Sequence, residues 1–110
     1  MPASGALLSG IPGELPDELF DLLGQGNGVR IERIVSRGYS SPPDFWYDQA
    51  EAEWVMVVQG AARLRFREPE RVLALGPGDW ADIRPHEAYR VDWTAPDADT
   101  VWLAVFYRPE

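Results

Sequence analysis

The stretch from Phe45 to Phe66, FWYDQAEAEWVMVVQGAARLRF, constrains this chain more than any other. Within it an acidic residue, Glu53, heads an unbroken apolar run from Trp54 to Val58. Beyond Gln59-Gly60 the side chains alternate, with Ala62, Leu64 and Phe66 on one side and Arg63, Arg65 and Arg67 on the other. Alternation of this length specifies a half-buried strand. The Gly between the two runs predicts a hairpin in which Ala61 to Arg67 pairs with Glu53 to Gln59. The buried strand thus carries a carboxylate at its mouth, where it has to be paired, hydrogen-bonded or protonated.

The flanking sequence extends the strand reading in both directions. Residues 1–28 form a lead-in, rich at first in small residues, Gly and Pro, that ends in a predicted short amphipathic helix from Asp17 to Leu23. Pro16 suits a first helical turn, Asp17 and Glu18 complement its partial positive charge, Leu15, Leu19, Leu22 and Leu23 recur at helical spacing, and Gly24 stops the run. After the turn at Gln25 to Gly28, strands are expected at Val29–Arg37, Phe45–Gln49, Glu53–Gln59, Ala61–Arg67, Arg71–Leu75, Trp80–Ile83, Glu87–Trp93 and Thr100–Tyr107. The turn Gly76-Pro77-Gly78-Asp79 has the central Pro-Gly of a type II turn. Some eight short strands without βαβ alternation specify an antiparallel sandwich or small barrel over residues 29–110.

Composition narrows the function classes. A chain of 110 residues holds one modest core. No apolar run approaches the roughly 18 residues of a membrane span, and no basic segment precedes an apolar one at the N-terminus. With no cysteine, disulfide and thiolate chemistry are excluded, and a cytoplasmic location is expected. The net charge of −8 argues against a nucleic-acid partner, because a phosphate backbone selects clustered positive charge. All ten basic residues are Arg, of which at most two or three are candidates for gripping a ligand.

Two segments resemble the cupin superfamily. Gly38, Glu53 and Gly60, with six residues between the last two, follow the spacing of the first cupin motif. GPGDWADIRPHEAYRV, from Gly76 to Val91, is similar to the Pro-Gly-Asp turn, strand and Pro-containing loop of the second. The resemblance covers roughly Val29 to Tyr107 and implies an all-β double-stranded β-helix, or jelly-roll, barrel behind the N-terminal helix. In wording it is nearest to small single-domain bacterial cupins of largely unassigned activity. Metal-binding cupins place two His before the glutamate and a third in the second motif. Here those positions hold Tyr47, Gln49 and Tyr89 (Trp46 and Asp48 on an alternative spacing of the first two), and the single histidine, His86, falls three residues before Tyr89. The usual three-His, one-Glu site is therefore excluded.

On this frame Tyr47, Gln49, Glu53 and Tyr89 converge inside the barrel mouth, with Arg33 approaching from the first strand. That set implies a polar pocket for a small polar or aromatic molecule with no cofactor; if a metal is held, Gln49, Glu53 and Tyr89 imply a weak, oxygen-ligated divalent ion. The alternative is an enzyme of isomerase, lyase or oxygenase type, with Glu53, Tyr89 and His86 as candidate catalytic groups. Each has a structural counterpart: a hydrogen-bond network for Glu53, core packing for Tyr47 and Tyr89, a turn or solvent position for His86. Trp54, Met56 and Val58 face away from the pocket and require cover, by the N-terminal helix or by a second subunit. A homodimer is expected on this ground. Sedimentation at micromolar concentration is the check, and a monomer there contradicts it.

Overall fold

The protein is described by a computed structural model, which defines residues 2–15 and 17–109. Eight strands form two antiparallel sheets, and no helix is present among these residues. The strands are β1 (Leu19–Gly26), β2 (Val29–Ser36), β3 (Ala52–Gln59), β4 (Ala62–Arg67), β5 (Glu70–Leu75), β6 (Trp80–Ile83), β7 (Tyr89–Thr94) and β8 (Thr100–Tyr107). The larger sheet runs β1-β2-β8-β3-β6 and the smaller β5-β4-β7. Between them lies the core, in which Val57 and Trp102 of the larger sheet face Leu64 and Phe66 of the smaller. No helix long and apolar enough to cross a membrane occurs among the described residues.

The expected N-terminal helix is a strand instead. Leu19 to Gly26 pairs with β2 from Leu19↔Val35 to Gly26↔Val29, closing on the two-residue turn Asn27-Gly28. Gly28 takes φ 76°, and a Gly in such a turn holds the preceding segment against the following strand. The leucine spacing that reads as helical belongs to an edge strand with a bulge between Leu22 and Gly24, which moves the side-chain pattern out of strict alternation. Pro16, the expected first-turn residue, lies outside the described residues. Phe45–Gln49 contributes only a bridge, Tyr47↔Tyr89, so the count of eight is met by β1 in its place.

The second correction concerns Gly60. β3 pairs with β6 and β8, while β4 pairs with β5 and β7, so the two are not a hairpin. The chain leaves one sheet at Gln59 and enters the other at Ala62. Gly60 makes this corner at φ 95°, and a Cβ there would lie 2.5 Å from Thr100 Oγ1 and 2.6 Å from its Cα. The alternation beyond the corner is as read, with Ala62, Leu64 and Phe66 all buried in the core. The Pro77-Gly78 turn also forms, closed by Asp79 N–H donating to Gly76 O at 2.9 Å.

Cover for the outer face of the larger sheet comes partly from the N-terminal segment. Arg33 donates to the carbonyls of Leu7 and Ser9, and Arg37 to those of Pro12 and Gly13. Trp54 stacks on Trp80 at 5.9 Å and remains half-buried, as do Met56 and Val58. Because Gly60 combines positive φ with a backbone contact, Gly60→Ala is expected to destabilise the fold by about 2 kcal/mol or more, read from urea unfolding.

Candidate functional site

A cavity of about 290 Å³ opens between the two sheets. β3 brings Glu53 and Val55 to it, and β8 brings Trp102 and Phe106. From the smaller sheet Leu64, Tyr89 and Val91 close the opposite wall. The loop before β3 supplies Tyr47 and Gln49, held by Tyr47 N–H to Tyr89 O at 2.7 Å and by His86 N–H to Gln49 O at 2.7 Å.

Glu53 is the most constrained group in the cavity. Only 3% of the residue is exposed, yet it is a carboxylic acid. Its Oε1 accepts from Tyr89 OH at 2.5 Å and from Gln49 Nε2 at 3.2 Å. Its Oε2 has no hydrogen-bond partner among the described residues, and it is not among the fully enclosed atoms that lack one. Burial pushes the Glu53 carboxyl above the ordinary carboxylate range, against the opposing pull of the Tyr89 and Gln49 donors. The Tyr89 and Tyr47 phenols are pushed up in turn, chiefly by burial and secondarily by nearby carboxyls. Their rings stack at 5.0 Å between centroids.

Four of the expected residues, Tyr47, Gln49, Glu53 and Tyr89, thus line one cavity. Arg33 does not. It lies on the opposite face of β2, where Asp21 Oδ2 accepts from its Nε at 2.9 Å and its Nη2 at 2.6 Å. The two faces of β2 each carry an Arg and apolar residues, so periodicity separates the faces without saying which one turns inward. Arg30, Glu32 and Ile34 do. His86 stands outside the cavity, its side chain 69% exposed, in the Arg84–Glu87 turn at φ 60° with Nδ1 2.7 Å from Asp48 Oδ1.

Glu18 is the residue that sequence reasoning missed. Placed in a helix, it reads as a charge at a helix start; paired into the sheet, the same segment delivers it to the cavity. Ser36 Oγ donates to Glu18 Oε2 at 2.5 Å and itself accepts from Trp102 Nε1 at 3.1 Å. Desolvation, reinforced by the charge of Glu53, raises the Glu18 carboxyl to about 7. The signal available was weak, since Glu18 is one of three acids among the leucines of Leu15 to Leu23.

The charges in the cavity do not balance. Glu18, Glu32 and Glu53 line it against one cation, Arg30. Arg30 is already engaged, through Nε to Glu32 at 3.0 Å and through Nη1 to Glu51 at 2.7 Å, and its guanidinium lies 4.1 Å from the centre of the Phe106 ring.

No profile of a known family matches the chain, and no curated protein does. Solved structures do. A Ralstonia eutropha JMP134 protein, provisionally named a mannose-6-phosphate isomerase, is 42% identical over 98% of this chain and 100% of its own, with a TM-score of 0.94. A cupin superfamily protein of Desulfitobacterium hafniense DCB-2 superposes with a TM-score of 0.72 over 90% of this chain and 84% of its own, at 17% identity. The chain belongs to the cupin superfamily. Another neighbour of the same fold is Fe(II)-HppE, 14% identical over 93% of this chain and 55% of its own, with a TM-score of 0.69.

The donors at this cupin's counterpart of the family metal site do not fit a tightly held transition ion. Two phenols keep their protons because burial raises them, Gln49 turns its amide nitrogen inward, and Glu53 Oε1 is occupied. Among the described residues no three His, Cys, Asp or Glu side chains are grouped to hold an ion.

A carboxyl raised by folding binds its proton more tightly in the folded state than in the unfolded one. Stability therefore falls as pH climbs from the ordinary carboxyl value to the folded one. For Glu18 that window runs from 4.5 to about 7. Urea unfolding is expected to show a loss on the order of 2–3 kcal/mol from Glu18 across it, a share that Glu18→Gln removes while the contribution of Glu53 stays.

Proposed function

We propose that this cupin binds a small polar or aromatic molecule in the cavity between its sheets, at a metal site that has lost its imidazoles. The observation that carries this reading is Glu53, a buried carboxyl anchored through one oxygen while the other is left free at the cavity. A buried acid costs stability unless it is satisfied, and an acceptor left open in a cavity of ligand size is satisfied by a guest. The aromatic and aliphatic walls, among them Tyr47, Ile34, Trp102 and Phe106, supply the apolar contact.

The name of the Ralstonia relative raises the question of a phosphosugar. Charge argues against one here, because a phosphate entering the cavity meets three carboxyls and a guanidinium already paired twice. A second reading, a metal-free isomerase or lyase, draws on the short Tyr89–Glu53 hydrogen bond, which joins two groups able to hold or pass a proton at the cavity wall.

Thermal-shift screening with small neutral and aromatic compounds, alongside metal analysis, tests the proposal. Wild type is expected to be stabilised by about 2.7 kcal/mol at a hundredfold excess of ligand over its dissociation constant, and Glu53→Gln by less. Metal that is stoichiometric in the wild type, survives chelation and is lost in Glu53→Gln would favour a metalloenzyme and sink the proposal; an ion that chelators strip leaves it standing.

A further inference from the structure

Resting on the reading of the cavity as a binding site, we propose that its ligand is a small organic ammonium ion: an amine whose charged nitrogen lies between Glu18 and Glu53 and whose apolar body lies against the aromatic walls. Three observations converge on this class. Each of the two carboxyls is held by protein donors through a single oxygen, Glu18 through Oε2 to Ser36 and Glu53 through Oε1 to Tyr89 and Gln49. The remaining oxygens, Glu18 Oε1 and Glu53 Oε2, have no hydrogen-bond donor among the described residues. An ammonium group carries only donors, three for a primary amine, and supplies what both oxygens lack.

The second observation is the charge balance. Arg30 is the cavity's one cation among the described residues, and Glu32 and Glu51 already neutralise it, so Glu18 and Glu53 have no counter-ion once they ionise. A neutral guest leaves that deficit in place and an anion deepens it. A cation removes it in a desolvated setting, where the pairing is strong.

The third is the wall. Phe20, Tyr47, Trp102 and Phe106 line the same cavity as the acids, and aromatic faces attract cations. Phe106 already does so within this structure, with the Arg30 guanidinium above its ring.

Binding of such a ion is linked to protons. Glu18 shares the cavity with Glu53 from β3, Arg30 and Glu32 from β2, Tyr89 from β7, and Tyr47 from the loop before β3, with Asp17 beside it in the chain; β8 offers only Trp102 and Phe106. Burial first, and the charges of Glu53 and Asp17 after it, outweigh the Ser36 donor, so Glu18 holds its proton to about pH 7 until a cation replaces it.

Benzylamine, benzyl alcohol and benzoate, which share a ring and differ in charge, form the test by calorimetry on the full chain. Benzylamine is expected to bind most tightly, with affinity rising about ten-fold from roughly pH 6 to pH 8 and with net proton release seen as a dependence on buffer ionisation enthalpy. Glu18→Gln is expected to remove the Glu18 share of the pH dependence, leaving only that of Glu53, and to weaken benzylamine about ten-fold at the higher pH. Ser36→Ala provides an independent variant: loss of the hydroxyl donor moves the midpoint of the binding profile to higher pH. Equal or tighter binding of benzyl alcohol or benzoate overturns the ammonium assignment while leaving a small-molecule site in place. A pH dependence unchanged in Glu18→Gln and Ser36→Ala also overturns it. If none of the three binds at millimolar concentration, both this inference and the reading beneath it fail.

Discussion

A carboxylic acid removed from water is the condition to which the rest of this barrel is fitted. Glu53 enters the space between the sheets at the start of β3, and its desolvation is offset by only two donors, Tyr89 and Gln49. One donor comes from far along the chain and the other from the loop just before β3. Tyr89 arrives on β7 of the smaller sheet, and Gln49 on a loop tied to the turn at His86. The Tyr47↔Tyr89 bridge locks loop to strand, so the hydrogen bonds to Glu53 and the docking of this loop on β7 depend on one another. Burial without full satisfaction raises the proton affinity of the group and leaves Oε2 free for another molecule.

The same economy of contacts governs how the chain reaches this arrangement. β3 and β4 are consecutive, yet they lie in different sheets, and the corner between them requires a residue without a side chain at Gly60. Had the chain made a hairpin there, Leu64 would sit beside β3 in the same sheet, with no space left between two layers. The corner sends Leu64 and Phe66 across the core to face Val57 and Trp102, and the cavity occupies the end of that interlayer space where Glu53 enters. Nearby, Trp102 donates to Ser36 and Ser36 to Glu18, so a second acid is fastened to the sheet by groups that also build the core.

How much was legible in the sequence differs from element to element. Strand parity on β3 separates Glu53, Val55 and Val57 from Trp54, Met56 and Val58, and the structure buries the first set. The loss of imidazoles at Tyr47, Gln49 and Tyr89 is likewise plain in the sequence and explains the phenol and amide character of the cavity. Reading failed where two physical patterns shared one string of residues. Leucines at helical spacing also suit a bulged edge strand, and the Asn27-Gly28 turn decides between them by holding that segment to β2. Arg30 and Arg33 occupy opposite faces of a strand whose two faces both mix polar and apolar residues, and only the carbonyls of Leu7 and Ser9 and the carboxylate of Asp21 show which guanidinium is outside.

Residue by residue, then, the sequence determined the strand character of most of residues 29–110, the Pro77-Gly78 turn, the buried acid and the presence of a single histidine. These follow from local periodicity, backbone stereochemistry and side-chain chemistry, all of which are carried by near neighbours in the chain. Tertiary structure alone decided that the Gly60 corner crosses between sheets, and that Glu18 and Arg30 share a cavity with Glu53. Those outcomes depend on which distant strands pair and which face turns inward. Both are settled by the global burial of apolar surface and the satisfaction of buried polar groups, and neither is written in any short stretch of residues.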